Sequence, residues 1–329
     1  MSLAEGRIPV LDIGPARAGA PGAAEDLAAR IARTCEDTGF LVIAGHGIDP
    51  ALPAACFEAA ARFFALPEED KLALRIGEYN IGYLPTGAQV IRTSKVAEVK
   101  QPNLNESFYI IRDYPPDHPA ILEKRPFVAP NRWPPHLPGF REATLAYFTA
   151  MEALAQRLLP AVSMALGMPP DHLARDFRDP TCTLRLIRYQ PQPAPEAGRF
   201  GFAPHIDTNL LTFLAQSALP GLEVRTAEGD WIRPPAIPGT FVVNTAEMLG
   251  RYSNGRFTPT PHRVLNQNDA MRYAIPFFFG PDNDAVIRPV PSCISAENPC
   301  RFEPLLYEDH RRMLNLRNFA HRQPQPAEA

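Results

Sequence analysis

The pattern that most restricts what this chain can fold into is His205-Ile206-Asp207, followed 55 residues after Asp207 by Pro261-His262-Arg263 and, ten residues later, by Arg272. Side chains at i and i+2 of a β-strand point to one face, so His205 and Asp207 can reach a single ion from one strand. The stretch 202–214 around them is rich in apolar and β-prone residues. His262 must then come from a strand that is distant in sequence and adjacent in space. Residues 208–261 leave room for several short antiparallel strands to bring the chain back.

Two imidazoles and one carboxylate form a ligand set that holds non-haem Fe(II) on one face and leaves the other face open. His-x-Asp alone is a short motif, and a lone histidine is more often a hydrogen-bonded core or surface residue than a ligand. Context is what raises it. His262 follows an Asn254-Gly255 turn signal, and Arg272 stands at the mouth of a strand-like apolar run that ends at Phe279.

On these residues the chain resembles the isopenicillin N synthase-like branch of the Fe(II)/2-oxoglutarate-dependent oxygenases. The C-terminal resemblance runs through Leu184-Arg185-Leu186-Ile187-Arg188-Tyr189, residues 238–244, Ser253-Asn254-Gly255-Arg256 and His262-Arg263-Val264 to Phe279. The N-terminal resemblance covers Ile8-Pro9-Val10-Leu11-Asp12, Gly39-Phe40, Gly45-His46-Gly47-Ile48 and Phe63-Phe64-Ala65-Leu66-Pro67.

The resemblance implies His205, Asp207 and His262 as metal ligands and catalytic residues. It implies Arg272 and Tyr189 as the residues that bind the far carboxylate of 2-oxoglutarate. A guanidinium suits that task because its fork bonds both carboxylate oxygens. Fe(II) would be the metal, and a small molecule would be oxidised with O2 while succinate and CO2 leave; hydroxylation, desaturation and ring closure stay open. Two positions depart from the family pattern. Its Arg-x-Ser reads Arg272-Tyr273-Ala274 here, and the asparagine two residues before its tyrosine is Ile187. Arg272 therefore marks a carboxylate without saying whose, and an isopenicillin N synthase-like oxidase that uses no 2-oxoglutarate is the alternative. A catalytically silent binding protein on the same scaffold would normally lack a ligand. A zinc hydrolase or cupin-type isomerase would have no use for Arg272 and Tyr189 at these offsets.

The expected fold is mixed α/β with an all-β core: a double-stranded β-helix, or jelly roll, wrapped by N-terminal helices and closed by a C-terminal helix over 305–316. The expected division is 1–180 as a mainly helical region packed on the core, 181–295 as the jelly-roll core, and 296–329 as helix and tail. Within the first part, strands are expected at 8–13 and 40–43 and helices ending near Gly39 and over 52–65. Leu145, Phe148, Met151, Leu154, Leu158, Val162 and Leu166 give a long amphipathic helix, with a kink expected at Pro160. Residues 76–140 show little periodicity and are expected as a binding loop or lid, with Tyr83, Arg92, Asn105, Glu106 and Phe108 as its residues of interest and a solvated connector as the alternative for each. After Thr183, short runs at 222–225, 241–244 and 273–279 between turn signals predict strands. Candidate substrate contacts are Phe202, Asn209, Asn244, Glu247 and Phe277, in a pocket suited to a small amino-acid-like or secondary metabolite.

A net charge of −3 gives no electrostatic case for nucleic acid or an anionic membrane, and no run approaches 18 uninterrupted apolar residues. Gly-x-Ser-x-Gly and the phosphate-binding Gly-x-x-x-x-Gly-Lys are absent. Five widely spaced cysteines without a Cys-x-x-Cys pair predict reduced, mostly buried thiols. With no signal-peptide pattern at the N-terminus, the expected location is cytoplasmic. The Pro-rich tail 321–329 is expected to be disordered. Oligomeric state is not legible.

Overall fold

The structure is a computed structural model that describes residues 8–318 except 78, 92, 93, 95, 97, 98, 193, 195 and 197. Arg92 and the tail 321–329 therefore lie outside the described residues.

The chain opens with β1 (Val10–Asp12), α1 (Gly14–Arg17), α2 (Ala23–Asp37) and β2 (Phe40–Ala44). It continues with α3 (Ala51–Phe64), α4 (Glu68–Leu72), β3 (Gly82–Leu84), β4 (Asn105–Ile111), α5 (Pro119–Leu122) and α6 (Phe140–Ala165). Short strands then dominate: β5 (Thr181–Tyr189), β6 (Phe202–His205), β7 (Leu211–Gln216), β8 (Leu222–Arg225), β9 (Trp231–Ile232) and β10 (Phe241–Thr245). After α7 (Glu247–Tyr252) come β11 (His262–Val264), β12 (Arg272–Gly280), β13 (Val286–Ile287), β14 (Leu305–Leu306) and α8 (Tyr307–Asn318).

The major sheet has eight strands in the order β1-β2-β10-β7-β12-β5-β4-β3, mixed because β1 and β2 are parallel. A four-stranded sheet, β6-β11-β8-β9, covers one of its faces. Alternation along the strands builds two cores. Phe40, Val42, Val242, Ile187, Tyr189 and Ala274 point inward between the sheets, where they meet Phe202, Val224 and Val264 of the smaller sheet. Leu41, Ile43, Phe241, Val243, Leu184, Leu186, Ile275 and Phe277 point the other way, onto Phe63 of α3 and Phe148, Met151 and Leu154 of α6. With both faces covered, the central strands carry almost no exposed residues, which is why they read as apolar runs.

The expected helical stripe is the buried face of α6, which continues unbroken through Pro160. Other expectations need correction. β1 and β2 fall where strands are expected, but the first 180 residues also supply β3 and β4, and all four join the major sheet. Residues on both sides of position 180 thus share one sheet and one core. The segment 76–140 contains β4, all seven of whose residues are buried. Near the C-terminus Leu305 and Leu306 pair with β13, so the last helix begins at Tyr307. All five cysteines are free thiols, four of them buried. Among the described residues no helix is long and apolar enough to cross a membrane.

Candidate metal centre and adjoining pocket

His205 ends β6 and His262 begins β11, and the two are direct Cα partners in the antiparallel pair. Their ring centroids lie 4.2 Å apart. Asp207 is two residues past the end of β6, so the carboxylate comes from the loop that follows the strand. It still returns to the histidines: His205 Nε2 is 3.4 Å from Asp207 Oδ1, and His262 Nε2 is 3.8 Å from Oδ2. One donor atom from each residue falls within 4.8 Å of the others, a spacing that one cation can bridge.

The neighbours aim these atoms. Asp207 Oδ2 accepts hydrogen bonds from Thr212 Oγ1 at 2.7 Å and from Asn244 Nδ2 at 2.9 Å. His205 Nδ1 lies 2.9 Å from the Ala203 carbonyl, and His262 Nδ1 lies 3.4 Å from that of Thr260. A proton held on Nδ1 by these carbonyls leaves each Nε2 lone pair for a metal. Phe40 packs edge-on to His262 at 5.4 Å and Phe202 against His205 at 4.4 Å, fixing both rings. Burial, reinforced by the neighbouring His205, lowers the His262 pKa to about 4, so its ring is neutral at neutral pH. Burial alone would raise the Asp207 pKa. In the acid range where this carboxyl takes up its proton, the then-charged His262 ring, neighbouring His205 and the Thr212 hydrogen bond outweigh burial and hold it well below the usual range.

Arg272 and Tyr189 are Cα partners across β12 and β5. The guanidinium is fully buried, 5.1 Å over the Tyr189 ring. Its Nε donates to the Leu219 carbonyl at 3.1 Å and its Nη2 reaches Gln216 Oε1 at 3.5 Å, while the buried Nη1 has no partner. Among the described residues no carboxylate pairs with it. A buried cation with a spare donor is suited to receive the carboxylate of a bound acid. Gly221 makes room for it, since a Cβ there would sit 2.9 Å from Arg272 Cδ and Nε.

A cavity of about 240 Å³ joins these parts. It is lined by the three candidate ligands, by Tyr189, Ile187, Leu222 and Val264, and by Gln89, Ile91, Arg185, Phe202, Pro276 and Phe278. Arg272, behind this wall, does not itself line the space. Leu314 and Asn315 of α8 border it, and Leu314 also borders two neighbouring cavities.

Of the expected substrate contacts, Phe202 lines the cavity, whereas Asn244 lines it while committed to Asp207. Asn209 is turned to the Leu211 carbonyl and Thr212. Glu247 pairs with His310 at 3.1 Å beside a different cavity. Phe277 is on the wrong face, packed on Phe148 of α6 at 5.2 Å, and Phe278 takes the place expected of it. Tyr83, Glu106 and Phe108 are also away from the cavity: Tyr83 donates to Glu106 at 2.7 Å, Glu106 pairs with Lys71 and Arg188, and Phe108 is core. Asn105 donates to the Gly201 carbonyl. Sequence reasoning misses Thr212 and Arg185 at the site. Counting finds Arg185, since it is four residues before Tyr189 and therefore on the same strand face.

Two family models match the chain: the non-haem dioxygenase N-terminal model, named for morphine synthesis, over residues 8–136, and the 2OG-Fe(II) oxygenase superfamily over residues 180–281. The 2-oxoglutarate-Fe(II) type oxidoreductase hxnY of Emericella nidulans is 32% identical over 92% of this chain and 87% of its own length. The 2-oxoglutarate-dependent dioxygenase citB of Monascus ruber is 38% identical over 78% of this chain and 79% of its own. Among solved structures, a full-length Neurospora crassa protein in complex with alpha-KG and thymine superposes with a TM-score of 0.81 at 26% identity, over 94% of this chain and 95% of that one.

Proposed function

Because the chain belongs to the 2OG-Fe(II) oxygenase superfamily, and is an Fe(II)- and 2-oxoglutarate-dependent dioxygenase, we propose that His205, Asp207 and His262 hold its iron and that Arg272 and Tyr189 hold the far carboxylate of 2-oxoglutarate. We propose further that the two facing sheets wind as the double-stranded β-helix of the family, with the chemistry in residues 181–295 and the last helix closing it. Similar proteins are named for 2-oxoglutarate dependence, which favours that co-substrate over an oxidase that needs none.

One observation carries the assignment. Three donor atoms within 4.8 Å of one another open onto a cavity whose far wall is backed by a buried guanidinium with a free N–H. When bound, Fe(II) and 2-oxoglutarate supply the oxidising chemistry with O2, the keto acid leaving as succinate and CO2. The chain's own residues do the rest. Thr212 and Asn244 fix the Asp207 carboxylate, the two backbone carbonyls fix the imidazoles, and Arg272 with Tyr189 orients the keto acid. Ile187, Leu214, Leu222 and Val264 exclude water around it.

A volume of about 240 Å³ lies below the ~300–1,000 Å³ of pockets for drug-sized ligands. That supports a compact small-molecule substrate. The similar Neurospora crassa protein was solved with one such compound, thymine. Free thiols at all five cysteines support a reducing, cytoplasmic location. The test is succinate release from 2-oxoglutarate by the Fe(II)-loaded full chain. His205→Ala and His262→Ala should each abolish it together with metal binding. Arg272→Ala should raise the KM for 2-oxoglutarate and leave metal binding intact. Metal retention in His262→Ala would sink the ligand set.

A further inference from the structure

The cavity contains a second buried guanidinium that the co-substrate does not account for. Arg185 is 4% exposed and lines the cavity. Its Nη2 donates to Ser107 Oγ at 2.7 Å, Gln89 Oε1 at 3.1 Å and Asn105 Oδ1 at 3.3 Å, all neutral acceptors. Its Nε is buried without a partner. The rings of Tyr109 and Phe202 lie 4.7 and 4.9 Å from its guanidinium carbon. Among the described residues no carboxylate pairs with it. Arg188, three residues on and on the other face of the same strand, pairs with Glu106. A buried charge left with neutral partners is costly, and an anionic ligand relieves it.

The register separates this cation from the co-substrate end. Arg185 lies two residues along β5 from Thr183, whose Cα partner is Phe278, itself paired with the Thr212 that supports Asp207. Tyr189, the partner of Arg272, is four residues the other way, roughly 13 Å along the strand. One cation therefore stands near the metal-holding row and the other well away from it. Ile91, Phe202, Pro276 and Phe278 give the wall around Arg185 an apolar, partly aromatic character.

We propose that Arg185 anchors a carboxylate of the primary substrate, so that the enzyme oxidises a compact organic acid whose apolar body rests on Phe202 and Phe278. This rests on the reading of Arg272 and Tyr189 as the 2-oxoglutarate end.

The full chain loaded with Mn(II) and 2-oxoglutarate is titrated calorimetrically with matched acids and amides: phenylacetate and phenylacetamide, 3-phenylpropanoate and its amide, indole-3-acetate and its amide. At least one acid should bind about tenfold or more tightly than its amide. Arg185→Gln should remove that advantage while leaving the amide and 2-oxoglutarate unaffected. Should R185Q fail to fold, Arg185→Lys takes its place and should keep part of the preference for acid. The proposal is overturned if no acid outbinds its amide, if R185Q holds the acid as tightly as wild type, or if R185Q weakens 2-oxoglutarate as R272A does. An R272A protein that keeps its 2-oxoglutarate affinity instead overturns the co-substrate end alone, and the acid–amide comparison still reads Arg185.

Discussion

Ala274 and Ile187 face each other as Cα partners on β12 and β5, and both belong to the apolar core between the two sheets. They are also the two positions at which the chain departs from the Arg-x-Ser and Asn-x-Tyr pattern it otherwise resembles. The departures are thus one structural change. A hydroxyl opposite isoleucine, or an amide opposite alanine, would find no polar side chain directly across this strand pair. Replaced together, they pack on one another, and the carboxylate end of the pocket keeps only Arg272 and Tyr189 as polar groups from these two strands.

The pair can be reversed. Ala274→Ser combined with Ile187→Asn restores donors beside Arg272 and should lower the KM for 2-oxoglutarate by up to about fivefold, the equivalent of one hydrogen bond of about 1 kcal/mol. Either change alone should bring less or nothing. Succinate release against 2-oxoglutarate concentration measures it, and a weaker double variant would mean that the apolar pair is itself shaped to the co-substrate.

Gly221 touches no ligand, yet it sets where Arg272 can lie. A Cβ at this position would meet Arg272 Cδ and Nε at 2.9 Å and the Leu265 carbonyl at 2.9 Å. The carbonyl belongs to backbone already bonded to Gly221, so the arginine must move. Gly221→Ala should raise the 2-oxoglutarate KM about tenfold or more, approaching Arg272→Ala, with Fe(II) affinity unchanged. Loss of metal in G221A would instead indicate general collapse of β8 and β11.

Asn244 is a positioning residue for the Asp207 carboxylate. Removing its amide leaves Thr212 as the remaining side-chain donor on Oδ2. Asn244→Ala should weaken Fe(II) binding about 10- to 100-fold, as losses in the shell around a metal ligand do. Once metal is saturating, the KM for 2-oxoglutarate should stay near wild type. A direct role for Asn244 at the substrate would leave metal affinity intact.

The His205-x-Asp207 pair, the ten-residue offset of Arg272 from His262 and the long helix are legible in the sequence because each is a matter of local spacing. The pairing of His262 with His205, by contrast, is made by two strands distant in sequence. What is hidden depends on neighbours from elsewhere. Phe277-Phe278-Phe279 gives no alternation in polarity because both faces of β12 are buried. Only counting from Arg272 in steps of two puts Phe278 in the cavity and Phe277 against α6. β4 escapes notice because Asn105, Glu106 and Ser107 look like loop residues. Lys71 and Arg188, distant in sequence, are what allow Glu106 to be buried. Arg185 is visible as a residue but not as an unpaired one, since the absence of a countercharge is a property of the packed molecule.

Protonation of His262 should limit the metal-free protein in a defined pH window. In the fold its pKa is lowered to about 4, chiefly by burial, against about 6.5 in an unfolded chain. Between those values the unfolded chain binds the proton and the folded chain does not, so stability rises with pH across the window and is flat above it. Falling from pH 6.5 to 4, the fold should lose stability on the order of 3 kcal/mol from this residue. Asp207, whose pKa is also depressed in the fold, loses its contribution only below about pH 4, in a more acid range. Urea unfolding of the metal-free full chain at several pH values reads the slope, and His262→Gln should flatten it between pH 4 and 6.5 while leaving the part below pH 4. Metal binding should follow the same sign: Fe(II) affinity should change little from pH 7.5 to 6 on account of His262, because its imidazole is already free of the proton that would compete. An H262Q slope identical to wild type would mean that this ring is protonated in the fold, and the neutral-ligand geometry assigned to it would fail.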